Sequence, residues 1–177
     1  MNTLLKLPIL GFILLLAACS SGNKTYIANI QSLQDSLQKN KQNLSFDCTP
    51  FDARIKEIEE NLMKLKTDLR DTLTLEEGNA FDKYKGIMKI YMRNTGLYNS
   101  CLKDQESLEK QLQDLLADEK AGKLTDEEFN NYFATEKQDV LNLIEQSSQI
   151  KTSIYAVEPE FRRLSEIVYT KLETLKN

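Results

Sequence analysis

The sequence of 177 residues contains no histidine and no tryptophan, and it has only six glycines and three prolines. Without histidine, the chain has no Ser-His-Asp or Cys-His arrangement and no histidine-containing zinc site. No GxGxxG or GxxxxGK[ST] motif occurs, so no glycine-rich loop is available to hold a phosphate. A carboxylate pair could still serve a glycosidase, but acidic residues at helical spacing are typical of solvated faces. We therefore expect a protein that is not an enzyme and binds no cofactor, metal or nucleic acid.

Long hydrophobic runs are also missing, apart from one short segment at the N-terminus. Lys6 precedes an apolar segment of 12 residues, Leu7–Ala18, whereas a helix that crosses a bilayer core needs about 20 apolar residues. A basic residue followed by a short apolar segment and small residues is typical of a signal peptide. We predict that residues 1–18 are a signal peptide; the alternative is a buried N-terminal helix.

The segment Leu16-Ala17-Ala18-Cys19 resembles the lipobox of bacterial lipoproteins. In that family the cysteine thiol is acylated with a diacylglycerol, and the signal peptide is cleaved just before the cysteine. The resemblance implies a palmitate-type anchor at Cys19, a tether over residues 19–23 and a mature chain with a net charge of −5. Two acyl chains hold a protein stably in a membrane. Because Ser20 follows the cysteine without nearby acidic residues, the resemblance favours the periplasmic face of an outer membrane over the cell surface.

The remaining residues, 24–177, repeat apolar side chains with a period of 3.5 and show no alternating strand pattern, which predicts an all-α fold. Helix starts are indicated by N-cap residues, by proline and by capping boxes, and a later proline predicts a kink. The predicted starts are Lys24, Thr49, Thr74 and Thr125, the predicted stop is Gly122, and the predicted kink lies near Val157. The stretch 115–141 is faintly similar to the helix-turn-helix modules called SHOCT, although chance agreement between capping boxes explains this similarity better.

Folding the chain at its turns places residue 48 opposite residue 100, residue 101 opposite 145 and residue 75 opposite 171. The first two helices then match only the near half of the third helix. This predicts a membrane-proximal four-helix bundle from which residues 102–144 project as an antiparallel coiled-coil hairpin. The segment Lys103–Ser147 has 12 acidic and 5 basic residues, as a largely solvated hairpin tolerates. The hairpin tip near Gly122 should point away from the membrane.

Several exposed or polar positions are candidate functional residues. Lys85, Lys89 and Arg93 recur every four residues and could contact anionic headgroups; the alternative is an ordinary solvated face. Tyr132 near the hairpin tip could contact a partner, because aromatic residues are enriched at interfaces, or it could belong to the hairpin core. Asn40 lies on the apolar seam of the first helix, where a polar residue can fix the register unless the helix end is frayed.

Cys48 and Cys101 form an even pair of cysteines once Cys19 is acylated. An oxidising compartment outside the cytoplasm permits a disulfide, and the antiparallel pairing brings both residues to the same level of the bundle. We predict a disulfide between them; the alternative is two small buried thiols.

These features favour a lipid-anchored, non-catalytic envelope protein that acts as a spacer or protein-interaction module through its acidic hairpin. The alternative is a periplasmic chaperone or small-ligand carrier that uses a cleft between helices.

Overall fold

The computed structural model describes residues 22–69 and 73–175, and all regular secondary structure in these ranges is helical. In chain order, the helices are α1 (Lys24–Asn40), α2 (Thr49–Asp68), α3 (Leu75–Lys120), α4 (Asp126–Ala156) and α5 (Glu158–Thr174). The predicted all-α helical bundle is confirmed. Within the described ranges, none of the helices has the length and apolar character needed to span a membrane.

The helices begin and end at the local signals found in the sequence. Thr74 and Thr125 each cap a helix and form the reciprocal bonds of a capping box with the glutamate three residues later. Gly122 has a positive φ of 62° and reverses the chain after α3. Pro159 lies in the first turn of α5, where its missing N–H is tolerated. The proline prevents α4 and α5 from forming one continuous helix.

The long helix α3 is the central element of the bundle. Its 46 residues correspond to a length of about 69 Å. Around Tyr84 the neighbours are Asn61 of α2 and Ser165 of α5. Around Gln105 the neighbours belong to α1 and α4 instead. Three helices therefore pack together at both of these levels.

The helices α1 and α2 follow one another along α3 and both run antiparallel to it. The start of α1 lies beside Glu119, and the loop after α1 lies beside Tyr98, whose hydroxyl donates to the Leu44 and Phe46 carbonyls at 2.9 and 3.1 Å. The helices α4 and α5 also follow one another along α3. The bundle therefore has three helical columns: α3, α1 with α2, and α4 with α5. Among the described helices, α3 alone runs along both halves of the bundle.

This arrangement corrects the predicted position of α1. The prediction placed α1 beside α2 and left residues 102–144 without a further partner, whereas α1 packs on both α3 and α4 there. The loop 41–48 continues the direction of α1 and does not reverse it, so α1 covers the hairpin. The antiparallel pairing of α3 with α4 is confirmed, as are two predicted levels: Cys101 lies beside Gln146, and Glu77 pairs with Lys171 at 2.9 Å.

Candidate functional site

The start of α1 is fixed to the far end of α3 by polar and aromatic contacts. The Asn23 backbone N–H donates to the buried Glu119 carboxylate at 2.8 Å. Tyr26 stacks on the Phe129 ring with 3.8 Å between centroids. A Cβ added to Gly22 would lie 2.2 Å from the Glu119 carbonyl oxygen, so only glycine fits this close approach. The described chain thus begins against the tip formed by the α3–α4 turn.

This contact bears on the predicted orientation of the hairpin, which depends on where the described chain begins. Cys19, the predicted lipidation site, lies outside the described residues, but three peptide units span at most about 11 Å. An anchor at Cys19 must therefore lie close to the tip, which was predicted to point away from the membrane. The end formed by α2, α5 and the first half of α3 is the end remote from Asn23.

A buried polar network joins α1 to the hairpin. The Asn40 amide donates to Gln105 Oε1 at 3.2 Å and to Ser147 Oγ at 3.1 Å. The Gln105 amide donates to the Leu37 carbonyl at 3.0 Å. All three polar side chains in these contacts are at most 4% exposed. Asn40 lies on the seam of α1, as predicted. Its hydrogen bonds form in the observed register of α1 against α3 and α4 and therefore favour that register.

A second polar group lies in the other half of the bundle, where α4 gives way to α5. The Glu158 carboxylate accepts a hydrogen bond from the Tyr91 hydroxyl at 2.6 Å and pairs with Arg54. The Arg54 guanidinium lies over the rings of Phe51 and Phe161, at 5.3 and 5.2 Å from their centroids. Burial, with a further effect of the Glu158 carboxylate, raises the pKa of Tyr91 above its usual range. The ion pair joins α2 to the start of α5, and the Tyr91 hydrogen bond joins α3 to the same carboxylate.

The basic residues Lys85, Lys89 and Arg93 lie on the exposed face of α3 in the half remote from Asn23. Counting from Glu119 at 1.5 Å per residue, they lie about 39 to 51 Å from the N-terminal contact. Their predicted headgroup contact depended on proximity to the membrane. If the bundle stands upright on a membrane with Asn23 at the near end, these three residues lie far from that membrane, and this argument no longer applies.

The aromatic residues near the tip divide between core and surface. Phe129 is 1% exposed and also stacks on Phe133, so these two rings belong to the core that joins α1, α3 and α4. Tyr132 is 54% exposed. Its side chain is therefore available to a partner, and that role stays a prediction.

Cys48 and Cys101 are free thiols in this structure, and the disulfide between them stays a prediction. Cys101 is buried and its sulfur lies 3.9 Å from Gln146 Oε1 on α4, whereas Cys48 occupies the N-cap position of α2 without a side-chain capping bond. Burial, followed by the nearby Asp52 and Asp47 carboxylates, raises the pKa of Cys48 to about 11; burial also raises the pKa of Cys101.

One carboxylate occupies a core position of α4. Glu136 continues the 4-3 spacing of core residues Phe129, Phe133, Val140 and Leu143. Its Oε2 atom is buried and has no hydrogen-bond partner among the described residues. Burial and then the Asp139 carboxylate raise the pKa of Glu136. The sequence analysis missed Glu136 because it followed apolar residues only. The signal that could have identified it is its place in the 4-3 spacing of the core residues.

Among residues 22–69 and 73–175, no group of histidine, cysteine or acidic side chains is arranged to hold a metal ion. The described surface has open grooves between helices; one of them, between α3 and α4, has Leu108 and Leu143 at its base and Asp104 and Asp139 beside them. The polar groups described above bond one helix to another, so the role that they support is holding the helices together.

No protein-family model, no characterised protein and no solved structure matches the chain.

Proposed function

We propose that the chain is a lipid-anchored, non-catalytic envelope protein that acts as a spacer and presents an interaction surface away from its membrane. The observation that carries the proposal is the contact of Gly22 and Asn23 with Glu119 at one end of a bundle about 69 Å long. A membrane anchor attached a few residues earlier would hold the bundle by that end. The remote end would then be displaced from the membrane.

The charge distribution supports an upright arrangement. The segment Lys103–Ser147 carries 12 acidic and 5 basic residues and includes the tip. Like charges repel within a Debye length of about 8 Å, so an anionic leaflet favours orientations that bring little of this segment to its surface. We place the protein on the periplasmic face of an outer membrane, as the lipobox resemblance implies.

The anchor is tested by labelling cells with radioactive palmitate. The wild-type protein should incorporate label and sediment with membranes, and Cys19→Ser should do neither. The matched control is Cys48→Ser, which removes a cysteine elsewhere and should label normally. Labelled Cys19→Ser protein would contradict the anchor.

The orientation is tested on vesicles with the lipidated protein and a headgroup-bound quencher. A fluorophore placed by Lys123→Cys, at the tip, should be quenched strongly. A fluorophore placed by Leu75→Cys, at the remote end where the native side chain is 83% exposed, should be quenched weakly. Both proteins also carry Cys48→Ser and Cys101→Ala. Equal quenching at the two positions would show a bundle lying flat and would contradict the spacer.

A further inference from the structure

The exposed face of α3 in its first half carries a row of uncompensated positive charges. Lys85, Lys89 and Arg93 follow one another at four-residue intervals, so they share one helix face over about 12 Å. All three are exposed, and like most of the described lysines and arginines they form no ion pair. Asp82, one turn earlier, is the nearest acidic residue on α3. We call these three cations the basic row.

The surface beside the basic row is low and open. A Cβ added at Gly86 or Gly96 would meet nothing within 4 Å, so packing inside the chain gives no reason for glycine there. Glycine in a helix interior costs about 1 kcal/mol relative to alanine. The exposed apolar neighbours on this stretch of α3 are Met92 and Leu97, at 48% and 40%.

These features fit an extended polyanion better than a folded protein partner. Protein interfaces usually depend on aromatic or arginine anchors held in desolvated pockets, and the basic row lies on a convex helix without such a pocket. Evenly spaced cations with small residues beside them let a charged chain lie along the helix. Each contact is weak, but a polymer that engages many anchored copies gains by multivalency.

We propose that the basic row binds a linear, carboxylate-bearing polymer at a fixed distance from the anchored end of the protein. The distance follows from the proposed function, because Lys85 and Arg93 lie about 51 and about 39 Å along α3 from Glu119. Anionic headgroups carry a related charge, but an upright bundle holds the row far beyond the Debye length of about 8 Å from its own leaflet.

The binding test uses the mature chain with Cys19→Ser and immobilised poly-L-glutamate. The triple variant Lys85→Gln/Lys89→Gln/Arg93→Gln should bind about tenfold more weakly than the parent, and the parent should lose affinity between about 50 and about 200 mM salt. The matched control, Lys56→Gln/Lys64→Gln/Lys66→Gln, removes three exposed cations from α2 and should bind as the parent does. Thermal unfolding of each variant checks that it is folded.

Three outcomes would overturn the proposal: equal loss in the two triple variants, unchanged binding to the polymer after its carboxylates are amidated, or no measurable binding by the parent. Co-sedimentation with phosphatidylglycerol vesicles separates the other source of negative charge. Loss of vesicle binding without loss of polymer binding in the row variant would make the row a headgroup site. Because this chain carries no lipid, failure here is distinct from failure of palmitate labelling, which tests the anchor.

Discussion

Replacing Glu136 by leucine should stabilise the protein at neutral pH. The carboxylate lies on the core seam of α4 between the buried residues Phe129 and Val140, and its Oε2 atom is buried without a hydrogen bond in the described structure. An unsatisfied buried polar group costs about 1–3 kcal/mol. Since the side chain as a whole is only partly buried, we take the lower end and expect Glu136→Leu to gain about 1 kcal/mol. This corresponds to a rise in Tm of about 2–4 °C for a protein of this size.

The gain should depend on pH with a definite sign. Burial and Asp139 raise the pKa of Glu136 in the folded state above its value in the unfolded chain, so the folded state disfavours the ionised form. The penalty is absent below the unfolded pKa and complete above the folded pKa. The contribution of Glu136 to stability should therefore fall as the pH rises through this window, and the difference between Glu136→Leu and wild type should grow over the same range.

Urea unfolding of the Cys19→Ser chain at pH 4 and pH 7 measures the effect. Glu136→Gln removes only the charge and should recover the part of the gain that depends on pH. Glu106→Leu makes the same exchange at an exposed position of α3 and should change stability little. Destabilisation by Glu136→Leu at pH 7, or an equal gain at both pH values, would refute the reasoning.

Three further predictions concern the joints between helices. Asn40→Ala should destabilise the protein by about 1–3 kcal/mol in urea unfolding, because its buried partners lose their bonds; an effect equal to that of Asn99→Ala, at an exposed position of α3, would contradict this. Arg54→Met should cost about 1–3 kcal/mol, since the partly buried Glu158 carboxylate loses its cation and keeps only the Tyr91 hydroxyl, and the double variant Arg54→Met/Glu158→Gln should recover most of that loss; failure to recover would mean that the ring contacts of Arg54 dominate. In the reduced, folded Cys19→Ser chain at pH 8, Cys48 should alkylate slowly because its pKa is raised to about 11, and Cys101 more slowly still because it is fully buried; a parallel sample kept unreduced that labels neither thiol after denaturation would demonstrate the disulfide.

The ends of the helices were predictable because their signals are local. The capping boxes at Thr74 and Thr125 and the stop at Gly122 depend on a few consecutive residues, and the structure has them where the sequence indicates. The start of α2 differs by one residue, since Cys48 takes the N-cap position and the Asp47 carboxylate accepts the Thr49 N–H at 2.9 Å.

The position of α1 was not predictable from lengths, because a loop of eight residues can either reverse the chain or continue it. The relevant signal was the matching of polar seam residues on three helices. Asn40, Gln105 and Ser147 each stand at a core position, and buried polar groups require partners. Tyr26 and Phe129 give a second match at the other end of α1. These pairings become visible only when seams of distant helices are compared.

The breaks between α1 and α2 and between α4 and α5 have a mechanical consequence. The loop after α1 lies beside Tyr98, and the break between α4 and α5 lies beside Tyr91 through Glu158, so the two breaks are only about 10 Å apart along α3. A bundle resists bending through the helices that are continuous at a given level. At the level of these two breaks, α3 is the continuous helix. A sideways load on the remote end, with the tip held, would concentrate its bending moment there. The molecule should behave as two stiff segments joined by a flexure, with the ion pair of Arg54 and Glu158 acting as a brace beside it.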